Sequence, residues 1–187
     1  MEEHQISNLL LASRILSYPT NETLQELKEM VHDTNDEHWK KRMEEIVSPL
    51  FQHSLKDLQE TYVATFDLKV KLGLYLTAHE FGDSPKRGAA IIKMQKMVNE
   101  AGFERVEGEL ADYIPMLYEF LAVVEDSTPY ERLIKRLSCV TELILTELPE
   151  QSPFYPIVAA LMEYVFEKPT AEELQEIIHI GPERAED

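Results

Sequence analysis

From Phe66 to Leu76 the apolar residues fall at every second position, Phe66, Leu68, Val70, Leu72, Leu74 and Leu76, which is the template of a β-strand. No second stretch of the chain repeats it convincingly. A strand without a partner leaves a row of backbone N–H and C=O groups unpaired, so this run bears on the whole fold class. An all-α chain is expected, with a break near Asp67 and a short helix through Leu72 to His79 in place of the strand.

Most of the remaining chain carries helical periodicity. Leu9, Leu10 and Leu16, with Leu11 and Ile15 on a neighbouring face, predict a helix from Ile6 that stops at Tyr18-Pro19, since proline disfavours helix in the residue before it. Leu24, Leu27 and Val31 follow behind the cap candidates Thr20 and Asn21, and a shorter helix covers Trp39 to Val47. Leu55, Leu58, Tyr62 and Phe66 share one helix face. Ser84-Pro85 predicts the start of a helix bearing Ile91, Met94 and Val98, which Gly102 ends as a left-handed residue. Leu110, Tyr113, Ile114, Leu117, Phe120, Leu121 and Val124 hold the best periodicity of all, which puts Pro115 in the first turn and makes Asp112 its cap. Thr128-Pro-Tyr-Glu131 reads as a capping box opening the next helix. Phe154 to Phe166 is apolar on most of its circumference and is expected to be the central buried helix. The expectation is a single-domain helical bundle of roughly eight to nine helices over residues 1–169. A tail, 170–187, opens with a second capping box, Thr170 to Glu173, and carries apolar Leu174, Ile177 and Ile178.

The chain has 187 residues and 44% hydrophobic side chains, enough for one core. Its 18 Lys and Arg face 35 Asp and Glu, a formal charge of -17, which repels phosphate backbones and anionic lipid surfaces and would draw in a basic peptide. A single cysteine, Cys139, forms no intramolecular disulfide and points to a reducing compartment. No run of 18 apolar residues occurs, and the N-terminus lacks a basic segment followed by a long apolar one. A cytoplasmic protein is expected.

The densest chemistry lies in Leu76 to Gly88, where helical periodicity stops. Gly82, Ser84, Pro85 and Gly88 shape a hinge between two helical halves, and His79, Glu80 and Asp83 cluster within it, with Arg87 as a nearby charge partner. His79 and Asp83 at i, i+4 are too few ligands for a closed metal site. No P-loop, dinucleotide fingerprint or HExxH is present, so no catalytic set is assigned. Glu109 and Asp112 either cap a helix or, with Asp67, Glu80, Asp83 and Glu119, rim a groove for a basic amphipathic peptide, its apolar floor drawn from Tyr62, Phe66, Tyr113 and Phe120. The other readings are a helical scaffold that binds through its tail, and a small metal-dependent hydrolase using His79, Glu80 and Asp83.

TYVATFDLKVKLGLYLTAHEFGDSPKRGAA, followed by EGELADYIPMLYEFLAVVED, resembles the NarJ-type assembly chaperones of respiratory nitrate reductase. These are a branch of the redox-enzyme chaperones that also serve twin-arginine-exported molybdoenzymes. The likeness spans Leu9 to Val124 and is strongest from Tyr62 to Phe120. Tyr62-Val-Ala-Thr-Phe66 is similar to the family's aromatic signature, and Glu109-Leu-Ala-Asp112-Tyr113 to its Glu-x-x-Asp-His/Tyr signature, with Leu110 where many relatives carry proline. The resemblance implies an all-helical domain with no enzymatic activity and no stably bound cofactor. Its implied partners are the catalytic (alpha) subunit of nitrate reductase, chiefly its N-terminal segment, and the proteins of molybdenum cofactor biosynthesis. The implied task is insertion of the molybdenum cofactor into that client.

Overall fold

Two helices that pack against each other at the core set the position of the rest. A computed structural model describes residues 1–103 and 108–180. In it the helix α7 (Ile114–Val123) buries seven of its ten residues, Tyr118 and Phe120 among them. It packs along α1 (Glu3–Ile15), whose Leu9, Leu11 and Ala12 are fully enclosed, and α9 (Tyr155–Tyr164) covers another flank of α1. The core is therefore centred on α1 and α7, not on the Phe154–Phe166 stretch. Ile157, Val158, Ala160 and Leu161 of α9 are buried, but Met162 and Tyr164 on its outer side are only half covered.

Seven further α-helices complete the described residues: α2 (Asn21–His32), α3 (Glu37–Val47), α4 (Leu55–Tyr62), α5 (Leu76–Phe81), α6 (Lys86–Glu100), α8 (Glu131–Glu147) and α10 (Ala171–Ile180). Local rules place most of their ends. Thr20 Oγ1 accepts the Thr23 N–H at 3.1 Å and caps α2. Gly102, at φ 76°, ends α6 in a Schellman motif, with its own N–H on Asn99 C=O and the Phe103 N–H on Val98 C=O. Thr170 and Glu173 form the reciprocal capping box ahead of α10 at 2.8 and 3.2 Å. Two expected caps fail. Thr128 starts a 3₁₀ turn, Thr128–Tyr130, so α8 begins only at Glu131. Tyr113 occupies the N-cap position of α7, and the Asp112 side chain points elsewhere.

The alternating run resolves into three pieces. After α4 the backbone widens into a π segment, Val63–Asp67, so the break does come at Asp67. A 3₁₀ turn, Val70–Leu72, follows and leaves Leu68 and Val70 in water while Leu72 is buried. From Gly73 the chain is extended, and Tyr75 makes an isolated antiparallel bridge with Tyr113. Leu74 C=O accepts the Ile114 N–H and Asp112 C=O accepts the Leu76 N–H, both at 2.9 Å. The alternation of buried Leu74 and Leu76 is thus strand-like, with residues 112–114 at the start of α7 as its partner, whereas Leu72 is buried from the 3₁₀ turn. The short helix α5 begins only at Leu76.

Between α5 and α6 the hinge is a tight turn. Gly82 has φ 52° and ψ -131°, a backbone that side-chain-bearing residues rarely adopt. The Ser84 carbonyl accepts the Arg87 N–H and its hydroxyl the Lys86 N–H, which launches α6 just after Pro85. At the other end of the chain α10 lies against α5 and α8 and buries Ile177. The Ile178 side chain and residues 181–187 of the expected tail lie outside the described residues.

Candidate functional site

The Tyr75–Tyr113 bridge gathers a continuous run of tyrosines. The two rings lie 5.5 Å apart between centroids. The Tyr113 and Tyr62 hydroxyls are 3.2 Å apart, and Tyr62 donates to the Leu16 carbonyl at 3.0 Å. Tyr18, largely exposed, sets its edge against Tyr62 at 5.6 Å. Glu109 Oε1 accepts from Tyr75 at 3.2 Å. Asp67, exposed at the end of the π segment, lies within electrostatic reach of Tyr62 and Tyr113. Burial, with the neighbouring carboxylates adding to it, pushes the Tyr75 phenol up to about 12 and holds Tyr62 and Tyr113 above their ordinary value. All three stay neutral hydrogen-bond donors at physiological pH. Phe66 lies beneath, in edge contact with Tyr62 and Phe154. Tyr62 and Phe66 are both almost wholly covered and support the patch from below rather than forming its face.

Behind this patch a buried carboxylate holds α5. Asp112 is 0% exposed. Its Oδ2 accepts the backbone N–H of Thr77 at 3.2 Å and the Thr77 hydroxyl, and Arg87 Nη2 stands 3.8 Å away. Thr77 is the second residue of α5, so Asp112 caps a helix after all, but one 35 residues earlier in the chain. Arg87 also donates to Thr77 Oγ1 at 3.3 Å and sits 6.0 Å from the Tyr75 ring. One side chain thereby ties the hinge, the cap and the tyrosine run together.

His79 does not face Asp83. Its Nε2–H donates to the Gly73 carbonyl at 2.6 Å, and burial lowers its pKa from 6.5. A depressed histidine takes up its proton first in the unfolded chain, so its share of stability is intact above pH 6.5 and is lost as the pH falls below that value. The thermal midpoint should therefore drop between pH 7 and pH 5, and less steeply in His79→Gln, whose amide can keep the bond to Gly73. Equal slopes for the two proteins would show that this ring does not govern the acid limb.

Glu80 turns away from both groups. It is buried and held bidentately by Arg136 of α8, with Arg136 Nη2 2.6 Å from its Oε2. Glu119 stands elsewhere again, paired with Arg14 at 2.9 and 3.1 Å, and Arg14 also binds Glu26. Asp83 is exposed in the turn. Among the described residues, no three metal-ligating side chains come together. The expected acidic rim is thus five separate arrangements: the tyrosine patch with Asp67 and Glu109, the Asp112 cap, the Glu80–Arg136 pair, the Arg14–Glu119 pair, and exposed Asp83 in its turn.

Residues 16–142 match the model of the nitrate reductase delta subunit family. The chain belongs to that family. A probable nitrate reductase molybdenum cofactor assembly chaperone, NarJ, of Bacillus subtilis is 31% identical over 134 residues, covering 70% of this chain and 73% of that protein. The nitrate reductase molybdenum cofactor assembly chaperone NarJ of Escherichia coli is 25% identical over 159 residues, 82% of this chain and 67% of its own. Among solved structures, an Archaeoglobus fulgidus protein described as a putative redox enzyme maturation protein superposes with a TM-score of 0.59 over 87% of this chain and 96% of its own. At 19% identity it speaks for the all-α fold alone. The delta-family segment begins at Leu16, whose carbonyl anchors Tyr62, and it spans the whole tyrosine patch and the Asp112 cap.

In this delta-family chain four participants escaped the reading of the sequence: Tyr18, Tyr75, Thr77 and Arg136. Tyr75 lies inside the alternating run and would have pointed to the opposite face from Leu74 and Leu76, which is a usable signal. Tyr18 lies between the end of α1 at Ile15 and Pro19, a position with no helical face to read. Thr77 and Arg136 carry no local signal, because each is defined by a partner 35 or 56 residues away.

Proposed function

We propose that this chain is an assembly chaperone of a nitrate reductase. It binds the catalytic subunit, chiefly its N-terminal segment, in the cytoplasm, before the molybdenum cofactor is inserted with the help of the proteins that make it. It holds no cofactor of its own and catalyses no reaction. In this reading residues 1–169 are the chaperone body and residues 170–187 its tail. The observation that carries the proposal is the delta-family match across the tyrosine patch. The chemistry of the patch fits a basic amphipathic segment: the partly exposed rings of Tyr18, Tyr75 and Tyr113 offer apolar faces and cation–π contacts, and Asp67 and Glu109 offer carboxylates. Leu110, exposed beside Glu109, extends the apolar surface.

A synthetic peptide of the catalytic subunit's N-terminal segment, titrated calorimetrically, should bind and should weaken roughly three- to tenfold in Asp67→Asn/Glu109→Gln. Asp83→Asn, removed from the patch by the Gly82 turn, should change affinity less. Added salt should weaken binding without abolishing it, because apolar contacts contribute alongside charge. Unchanged affinity in the double variant would move the site off the patch.

A further inference from the structure

The chain carries a second concave surface of opposite electrical character. A groove of about 770 Å³ lies between α6, α8 and α10, with the Glu80–Arg136 pair in its wall. Ala89, Ala90, Met94 and Met97 of α6, Cys139 of α8 and Ile177 of α10 line it. On α6 the groove-lining positions 86, 89, 90, 93, 94 and 97 repeat at helical spacing, so one whole face looks into the groove. Packed elsewhere chiefly on α5, α6 leaves Ala89, Ala90 and Met97 of that face at least partly exposed, with Met94 buried at its base. Methionine and alanine along a groove adapt to varied apolar side chains.

Its lip is basic in a chain whose formal charge is -17. Lys86, Lys93, Arg132 and Lys135 are all exposed there and form no ion pair among the described residues. Arg136 is already neutralised by Glu80. Several other cations are committed, Lys71 to Glu147, Lys96 to Glu100, Lys168 to Glu142, and Arg42 to Glu45 and Glu163, and what sets the lip apart from the scattered Lys28, Lys41 and Lys69 is that its four charges line one groove. Besides Glu80, two carboxylates, Glu173 and Glu176, line the same groove, against the four cations Lys86, Lys93, Arg132 and Lys135. The lip therefore keeps an excess of positive charge.

The fold also shows what such a surface accepts. α10 has Glu172, Glu173 and Glu176 beside Leu174 and Ile177, an acidic amphipathic helix, and it is already seated along α8 with Ile177 buried and Glu173 within electrostatic reach of Lys135. We infer that the groove between α6, α8 and α10 is a second docking site, which takes an acidic amphipathic helix of a partner protein. The helix lies beside α10, with its apolar stripe on Ala90 and Met97 and its carboxylates on Lys86, Lys93, Arg132 and Lys135. The charge requirement is the reverse of that at the tyrosine patch, so the two surfaces can hold different segments at once.

The test uses the full chain and a fluorescein-labelled helical peptide with leucine at i, i+3, i+4 and i+7 and glutamate on both flanks, read by fluorescence anisotropy. One control has lysine for every glutamate; another has the leucine positions scrambled. The acidic peptide should bind saturably, weaken with salt, and weaken roughly tenfold in Lys93→Glu/Lys135→Glu. Both positions are exposed, and circular dichroism checks that the fold is intact. The same variant should bind the basic N-terminal peptide of the catalytic subunit as the wild type does, so failure here and failure at the tyrosine patch are read separately. No binding of the acidic peptide, equal binding of the scrambled or lysine controls, or indifference to the double reversal would overturn the inference. So would a chain that sediments as a dimer and becomes monomeric in that variant, because a second copy would then fill the groove.

Discussion

Asp112→Ala is expected to lower the free energy of unfolding by about 3 kcal/mol. The carboxylate is wholly enclosed and satisfies the N–H and hydroxyl of Thr77, and Arg87 has its side chain turned towards the same oxygen. Alanine leaves two buried donors without an acceptor and a half-buried guanidinium without a counter-charge. Each unmet buried donor costs about 1–3 kcal/mol, so even the low end of that range accounts for most of the effect. Asp112→Asn keeps an acceptor for Thr77 but loses the charge opposite Arg87, and should cost about half as much. Urea denaturation followed at 222 nm and through the single tryptophan, Trp39 of α3, would show both midpoints moving together if the chain unfolds in one step. An alanine variant within about 0.5 kcal/mol of wild type would mean that α5 is held by its backbone bridge to residues 112–114 alone. Because that bridge also presents Tyr75 and Tyr113, Asp112→Ala should weaken the tyrosine patch as a binding surface as well.

How much of this could be read from the residues follows from the range of each interaction. The caps at Thr20 and Thr170 and the left-handed Gly102 are set by side chains within a few positions of the groups they satisfy, and the sequence places them correctly. The Phe66–Leu76 alternation is a subtler case. The chain is all-α in its regular elements, yet Leu74 and Leu76 alternate because the segment pairs with residues 112–114, and a three-residue bridge leaves no second strand pattern to find. The candidate site suffered most. Glu80, Asp83 and Asp112 look alike as carboxylates near a break, and only tertiary packing decides that one meets Arg136, one meets water and one caps α5. The two signatures, Tyr62 to Phe66 and Glu109 to Tyr113, do meet in space, through the hydroxyls of Tyr62 and Tyr113. The residue that completes their surface, Tyr75, came from between them. Net charge misled in one respect: a chain with 35 acidic residues still assembles a basic lip, because helical spacing on α6 and α8 concentrates four cations at one groove.

That groove rests on the Glu80–Arg136 pair, and a double-mutant cycle should separate the energy of the pair from the cost of breaking it. Arg136→Leu strands a carboxylate whose side chain is 4% exposed, and should destabilise the chain by about 3–5 kcal/mol. Glu80→Leu strands a guanidinium that is 25% exposed and can turn towards water through the groove, so about 2 kcal/mol is expected. The double replacement, Glu80→Leu with Arg136→Met, removes both charges from the α5–α8 contact and fills it with apolar side chains. It should lie closer to wild type than either single variant, since two desolvated charges are exchanged for packing of similar volume. Urea midpoints for the four proteins provide the cycle, provided the slope of each transition is unchanged. If the double variant is as unstable as the sum of the singles, the pair contributes no coupling, and Glu80 and Arg136 matter separately, through packing against Met94 and their other neighbours. If it is near wild type in stability, the pair is retained for what it does to the groove. Glu80 would then keep Arg136 turned inward and neutral, leaving Lys93, Arg132 and Lys135 as the charges that an acidic helix meets.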